Sequence, residues 1–433
     1  MELKPTAPLG GFIELTPIQQ RCFDECVARM QNVLRTAGFA HIDLPSIERA
    51  EVLTDEENFD DIATEMYLFQ KGDTKMGLRY DGTIGFARYV AGHLNDLVFP
   101  FRAYQFAKNY RGERQQKGRY REFYQMDLDI LGLGELSIDY DIEIVVTMAA
   151  AFKSIHEFIG DTFARVGSRK FWNAAFAYFG ITDPAIAQAA SVMIDKKDKM
   201  PPDDFRAAVT DIVGTNTADK ILSVFSDGYQ TLLNKNKALD TAIMELEAFV
   251  ARTRDLGVDA IADLSIMRGH GYYTGIVFEF YFKNGEIATH LGGGGRYENL
   301  VGKFSKTRVI GVGAAFGPSR ILVPMLESGK IDLKRFESSI DVAILTIGQE
   351  NTGYSMKILS ELRANGITTV PFLDTDKKFK NQMEFANKIN CKFSVIIGEN
   401  EVKNQVLTVK NMETGEQTGL KLPDALKIIL KTK

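Results

Sequence analysis

One stretch limits the possible folds more than any other. Residues 109–129 read as the end of a strand, a basic polar loop (Gly112–Tyr120) and a return strand from Arg121 toward Leu131. Side chains alternate across a strand. Arg121, Phe123, Gln125, Asp127 and Asp129 therefore share one face, and Tyr124, Met126, Leu128 and Ile130 share the other. The second face is core-like, so the segment demands a half-buried antiparallel sheet. The first face leaves two readings open. It is either a solvated face laced with weak surface ion pairs, or, beside its cationic loop, a binding surface for a polar, zwitterionic ligand.

The rest of the chain supplies enough core for more than one domain. It has 433 residues, 45% hydrophobic and 25% charged, which suits a globular protein. A net charge of −5 excludes a globally cationic nucleic-acid binder, so any RNA contact must use a local patch. Cys22, Cys26 and Cys391 cannot build a disulfide framework. Cys22 and Cys26 lie one turn apart in an apolar stripe and read as core. No apolar run reaches membrane-spanning length and no secretory apolar segment opens the chain. A soluble, cytoplasmic protein with no membrane partner is expected.

Thr16-Pro17 with Gln19 predicts a capping box and a first helix, stopped at Gly38. Phe39–Ile47 reads as extended, with Pro45 suiting a sheet edge. Tyr67–Gln70 and Lys75–Tyr80 form a hairpin, Thr83–Leu94 a helix, and Arg102–Arg111 a strand. Residues 168–262 change to helical text and read as an insertion. Strand text returns at Leu264–Phe282, then a glycine run Gly292–Gly295, then a strand and helix over Val309–Leu326. The polar stretch 327–339 reads as a linker. Residues 340–433 alternate strands and helices, predicting a small mixed α/β domain with mainly parallel pairing.

Nucleotide motifs of the common kinds fail. Gly311–Gly317 is one residue too long for a dinucleotide fingerprint, and Gly302-Lys303 lacks the Ser or Thr of a P-loop. Two further clusters stand out. Arg268-Gly269-His270-Gly271-Tyr272-Tyr273-Thr274-Gly275 sets an arginine among glycines at a strand mouth, which suits anion binding or a simple strand entry. Gly292–Gly295 with Arg296-Tyr297, followed by Gly311 to Arg320, marks close backbone or ligand approach.

Taken in order, these clusters resemble the class II aminoacyl-tRNA synthetases, and among them the histidyl-tRNA synthetase family. Arg111–Asp129 is similar to motif 2 and Gly311–Arg320 to motif 3. Arg268–Thr274 resembles the histidyl signature, Phe39–Glu48 motif 1, and Arg79–Thr83 the amino-acid-binding turn. Residues 378–417 look like the family's anticodon-binding domain. The resemblance covers nearly the whole chain except the insertion, placed by position only. It implies an α+β catalytic core within an α/β chain over residues 1–326, with an antiparallel sheet flanked by helices. The helical insertion (168–262), linker (327–339) and anticodon-binding-like domain (340–433) follow.

The resemblance also implies the chemistry. Histidine and ATP, with Mg²⁺ carried on the phosphates, would give histidyl-adenylate, and tRNA(His) would accept the histidyl group. The histidine-binding residues would be Asp81, Gly82, Thr83, Gln125, Asp129, Arg268, Tyr272 and Tyr273. ATP would meet Arg111, Glu113, Phe123 and Arg320. Arg111 and Arg268 would be catalytic, and Gln116 and Arg119 would touch the tRNA acceptor end. No protein-held metal site is assigned, and motif 1 implies a homodimer. The sequence departs from the family at three places. His270-Gly271 replaces Leu-Asp, Tyr80-Asp81 replaces proline and glutamate, and Pro318-Ser319 replaces Leu-Glu before Arg320. A rival is a regulatory paralogue, resembling the histidine-sensing subunit of ATP phosphoribosyltransferase. Retention of Arg111, Arg268 and Arg320, with an anticodon-like domain, favours the ligase.

Overall fold

The computed structural model describes residues 4–54, 65–113, 118–267, 273–284, 290–337 and 340–431. The chain divides into two compact units, Met1–Leu15 with Phe23–Ile331, and Thr16–Cys22 with Asp332–Lys433.

The strands of the first unit are β1 (Ala40–His41), β2 (Ile47–Arg49), β3 (Leu68–Lys71), β4 (Thr74–Leu78), β5 (Phe101–Tyr110), β6 (Glu122–Leu133), β7 (Thr162–Ser168), β8 (Ala260–Ala262), β9 (Tyr273–Phe282), β10 (Gly292–Tyr297) and β11 (Val309–Phe316). Eight of them form one sheet in the order β1-β5-β6-β11-β10-β9-β7-β8. The pairings from β5 to β7 are antiparallel, while β1 and β8 lie parallel to their neighbours at the two edges. The order β2-β4-β3 forms a small separate sheet.

Strand parity explains where the core ends and a site begins. The even face of β6 buries Met126, Leu128 and Ile130. On the same parity of the neighbouring strands, Phe280 and Phe316 meet Phe152 edge-on, at 5.4 and 5.2 Å between ring centroids. Phe152 comes from the helix Asp139–Lys153. The odd face carries Leu131 into a cluster with Phe86, Ala87 and Val90 of the helix Thr83–Gly92. Farther back along β6 that face turns polar, at Asp129, Asp127 and Gln125, before Phe123.

Several elements differ from the sequence expectation, for local reasons. Strand structure over 39–47 is limited to β1 and the first residue of β2. Pro45, which has no N–H to donate, stands between them. Of the strand text beginning at Leu264, residues 264–267 are not strand, and β9 is described from Tyr273. The Asp263 carboxylate accepts from the Ser265 amide at 2.9 Å and turns the chain there. From Arg169 to Asp255 the chain is helical, with the helices Arg169–Phe179, Pro184–Ile194, Pro202–Val213, Thr215–Ser226 and Lys237–Asp255. Trp172 is fully buried there, and its indole N–H donates to the Leu264 carbonyl at 2.8 Å.

The second unit holds β12 (Val342–Thr346), β13 (Thr369–Phe372), β14 (Phe393–Ile397), β15 (Leu407–Asn411) and β16 (Gln417–Leu420), ordered β13-β12-β14-β15-β16. The ladders of β12 with β13 and β14 are parallel, and those of β14–β15 and β15–β16 are antiparallel. Pairing is thus divided evenly rather than mainly parallel. The strand β16 escapes sequence reading because it is largely exposed and polar, so no apolar alternation marks it. Among the described residues, no helix is long and apolar enough to cross a membrane.

Candidate active site

A cavity of about 280 Å³ opens on the polar face of β6. Asp81, Thr83, Arg111, Glu113, Arg119, Phe123, Gln125, Asp129, Tyr273 and Arg320 all line it. Gly82 lies between the first two. Arg268, Tyr272 and Gln116 fall outside the described residues, as do His270 and Gly271. The solvated reading of the β6 face is overturned, because Gln125, Asp127 and Asp129 are buried. Alternation cannot distinguish a face that meets water from one that walls a cavity.

The walls follow from register. Phe123 and Asp129 are six residues apart on one face, so they stand about 20 Å apart along the strand. The cavity is therefore long enough for two subsites. At the Asp129 position, the paired residue on β11 is Gly313. A Cβ there would come within 1.9 Å of Asp129 Oδ1, so only glycine leaves room for the carboxyl. Tyr297, at the end of the glycine strand β10, donates its hydroxyl to that Oδ1 at 2.8 Å. A Cβ on Gly82 would likewise fall 2.7 Å from Asp127 Oδ2.

The Asp81 Oδ1 accepts from the amides of Thr83 and Ile84 at 3.1 and 3.3 Å. These are orphan donors at the start of a helix, where an anion is favoured. Gln125 donates to Asp127 Oδ1 at 2.6 Å. The Arg111 Nε donates to the Tyr80 carbonyl at 3.2 Å, and its guanidinium lies 5.3 Å from the centroid of the Phe123 ring. Glu113 is 3.7 Å from Arg111 and 3.3 Å from Arg119.

Three carboxyls thus share a buried space, and burial disfavours their charged forms. It pushes the Asp129 pKa up to about 8, against the opposing hydrogen bond from Tyr297 and with help from Asp127 and Asp81. It pushes Asp127 up to about 7, opposed by the Gln125 hydrogen bond. Asp81 is raised too, chiefly by burial, while its backbone hydrogen bonds and Arg111 pull the other way. Burial thus favours the neutral forms of these acids, and the site suits a ligand that brings positive charge and N–H donors. These acids have folded pKa values above their ordinary 3.8, so the folded state binds more protons across that interval. Stability is then lost as pH rises. The ligand-free melting temperature is expected to fall from pH 5 to pH 8, and saturating histidine to flatten or reverse that slope. A ligand-free melting temperature that rises across the range, with a slope unmoved by histidine, would refute the buried-acid account.

Sequence reading missed several residues of this cavity. Tyr297 stood in a flagged cluster without a role, and Asp127 on the flagged face without one. Glu279, His290, Asp195 and Lys199 also line the cavity. The last two belong to the helical segment, and only folding brings them near. Arg296, flagged beside Tyr297, is structural. Its Nη2 pairs with Asp141 at 2.5 Å, and it donates to the carbonyls of Leu136 and Ser137 at 2.9 and 2.8 Å. Among the described residues, no cluster of three or more His, Cys, Asp or Glu side chains is arranged to hold a metal.

Comparisons with known proteins match the chain along nearly its whole length. Residues 11–321 match a family model described as histidyl-tRNA synthetase, and residues 341–432 match one described as anticodon binding domain. The chain is 33% identical to a histidine–tRNA ligase of Clostridium acetobutylicum, over 98% of this chain and 99% of that one. It is 34% identical to a histidine–tRNA ligase of Clostridium tetani, over 99% and 98%. It superposes on the crystal structure of histidyl-tRNA synthetase from Nostoc sp. PCC 7120 with a TM-score of 0.83, 27% identity and complete coverage of both chains. With one family model spanning most of the chain and relatives similar along nearly all of it, this protein belongs to the histidyl-tRNA synthetase family.

Proposed function

We propose that the chain is a histidine–tRNA ligase, activating histidine with ATP and transferring it to tRNA(His). The observation that carries this reading is a single cavity joining two kinds of wall. Buried carboxyls and Tyr297 suit an amino acid with a cationic end and ring N–H groups, while arginines with Phe123 suit a nucleotide triphosphate. Asp81, with Gly82, Thr83 and Gln125, takes the α-amino group, since a carboxylate is the natural partner of an ammonium. Asp129 and Tyr273 take the imidazole, with Tyr272 and Arg268 assigned by resemblance to the same pocket. Phe123 stacks the adenine and Glu113 accepts from it. Arg320 meets the γ-phosphate end.

The histidine carboxylate attacks the α-phosphorus of ATP in line, forming a new P–O bond as pyrophosphate leaves. Arg111, with Arg268, offsets the charge that develops on the phosphoryl oxygens. Mg²⁺ carried on the ATP phosphates would supply further positive charge there. The terminal ribose hydroxyl of the tRNA then attacks the adenylate carbonyl, and AMP leaves. Gln116 and Arg119 guide the acceptor end. Residues 340–433 read the anticodon loop, whose unstacked bases are accessible. The catalytic unit of 1–326, with its insertion at 168–262, joins them through 327–339. A cytoplasmic homodimer completes the reading. The exposed edge strand β1, within the motif 1 segment, is the surface that supports it.

Purified protein is expected to catalyse ATP–pyrophosphate exchange with histidine and with none of the other nineteen amino acids. Charging of tRNA(His) should follow. Tight histidine binding without exchange would overturn the ligase reading and point to a regulatory paralogue.

A further inference from the structure

His290 precedes the glycine strand and belongs to no motif flagged in the sequence, yet it lines the cavity beside Arg320. Its Nε2 lies 3.2 Å from Arg320 Nη1, and its backbone carbonyl is 3.5 Å from the same nitrogen. The Arg320 Nε donates to the Gly118 carbonyl at 3.3 Å. A guanidinium has only donors to offer. The approach therefore requires His290 to present the Nε2 lone pair, with its ring proton on Nδ1. The Glu279 carboxylate stands 3.6 Å from Nδ1, on the side where it stabilises that proton. Glu279 is itself fixed. It is buried and accepts the Tyr281 hydroxyl at 2.6 Å, and the Arg165 guanidinium lies 5.0 Å from the centroid of the Tyr281 ring.

We propose that His290 is a positioning residue for ATP, set in one tautomer by Glu279 and directing the Arg320 guanidinium toward the terminal phosphates. Arg320 sits in the first turn of the helix Pro318–Glu327, where two neighbours depart from the family pattern. His290 and the Gly118 carbonyl hold the guanidinium from outside the helix. The proposal rests on the reading of Arg320 as an ATP ligand.

The test is pyrophosphate exchange with the full chain, comparing H290A, H290Q, R320A and the H290A/R320A double variant. Losing an acceptor for a charged donor is expected to raise the ATP KM of H290A about 10-fold, with the histidine KM within about twofold. The H290Q amide oxygen can replace Nε2, so its ATP KM should return to within about threefold of the parent. In the R320A background, H290A should add less than about a further twofold, because both changes remove one interaction. Two results would overturn the proposal: equal rises in the histidine and ATP KM of H290A, or effects of H290A and R320A that multiply fully. The Arg320 reading fails separately, and this proposal with it, if R320A alone leaves the ATP KM unchanged.

Discussion

Arg111→Ala is expected to slow histidine-dependent pyrophosphate exchange by about 10²–10³-fold, the scale on which preorganised charge at a reacting centre acts. Two losses combine. The first is the positive charge facing the phosphoryl oxygens as pyrophosphate leaves. The second is electrostatic support for the neighbouring acids. Arg111 lowers the pKa of both Asp81 and Asp127, whose shifts are dominated by burial. Without it, both hold their protons more tightly, and the α-amino group of histidine meets a less anionic partner. The variant should therefore lose turnover and also raise the histidine KM. Arg111→Lys keeps a charge but not the planar fork or its stack on Phe123. It should restore the histidine KM more fully than the rate. Single-turnover adenylate formation in R111A within about threefold of the parent would remove Arg111 from the chemistry.

What the sequence made legible here is periodic, and what it hid is three-dimensional. The alternation along β6 separated Met126, Leu128 and Ile130 from Gln125, Asp127 and Asp129, and the strand follows it. The first helix was legible because its cap is local. The Thr16 amide donates to Gln19 Oε1 at 3.0 Å, and the Gln19 amide lies 3.5 Å from Thr16 Oγ1. Polarity, however, does not record depth. Asp129 reads like a surface residue until β11 brings Gly313 and β10 brings Tyr297 against it. Those partners lie 184 and 168 positions away in the chain, at spacings set by topology rather than by any repeat. His290 and Glu279 were hidden for the same reason: Glu279 lies on β9 opposite Gly293, His290 just before β10, and Arg320 in a later helix. The candidate site was reachable from sequence mainly through ordered motifs, each with several explanations when taken alone. Asp195 and Lys199 show the limit of that route. They come from the helical insertion, which no motif covers.

Asp129→Asn separates function from stability, because it should harm one and help the other. The carboxyl and amide have nearly the same shape, so the pocket keeps its volume. The amide cannot become an anion when a ligand brings an N–H donor. A site built to pair a substrate N–H discriminates strongly against an unmatched partner. The histidine KM is therefore expected to rise about 10²–10³-fold, on the scale of a lost charge-assisted hydrogen bond with a buried group left poorly paired, while the ATP KM stays within about threefold. In the empty protein the sign reverses. Above pH 8 the parent must either ionise a buried carboxyl next to Asp127 and Asp81 or bind a proton from a depleted solution. The neutral amide escapes that choice, so the ligand-free melting temperature of D129N should exceed the parent's at pH 9 and converge with it near pH 5. A merely structural Asp129 would give the opposite pair, a lower melting temperature at every pH with an unchanged histidine KM. Thermal melts across pH, run beside exchange kinetics on the same preparation, decide between them.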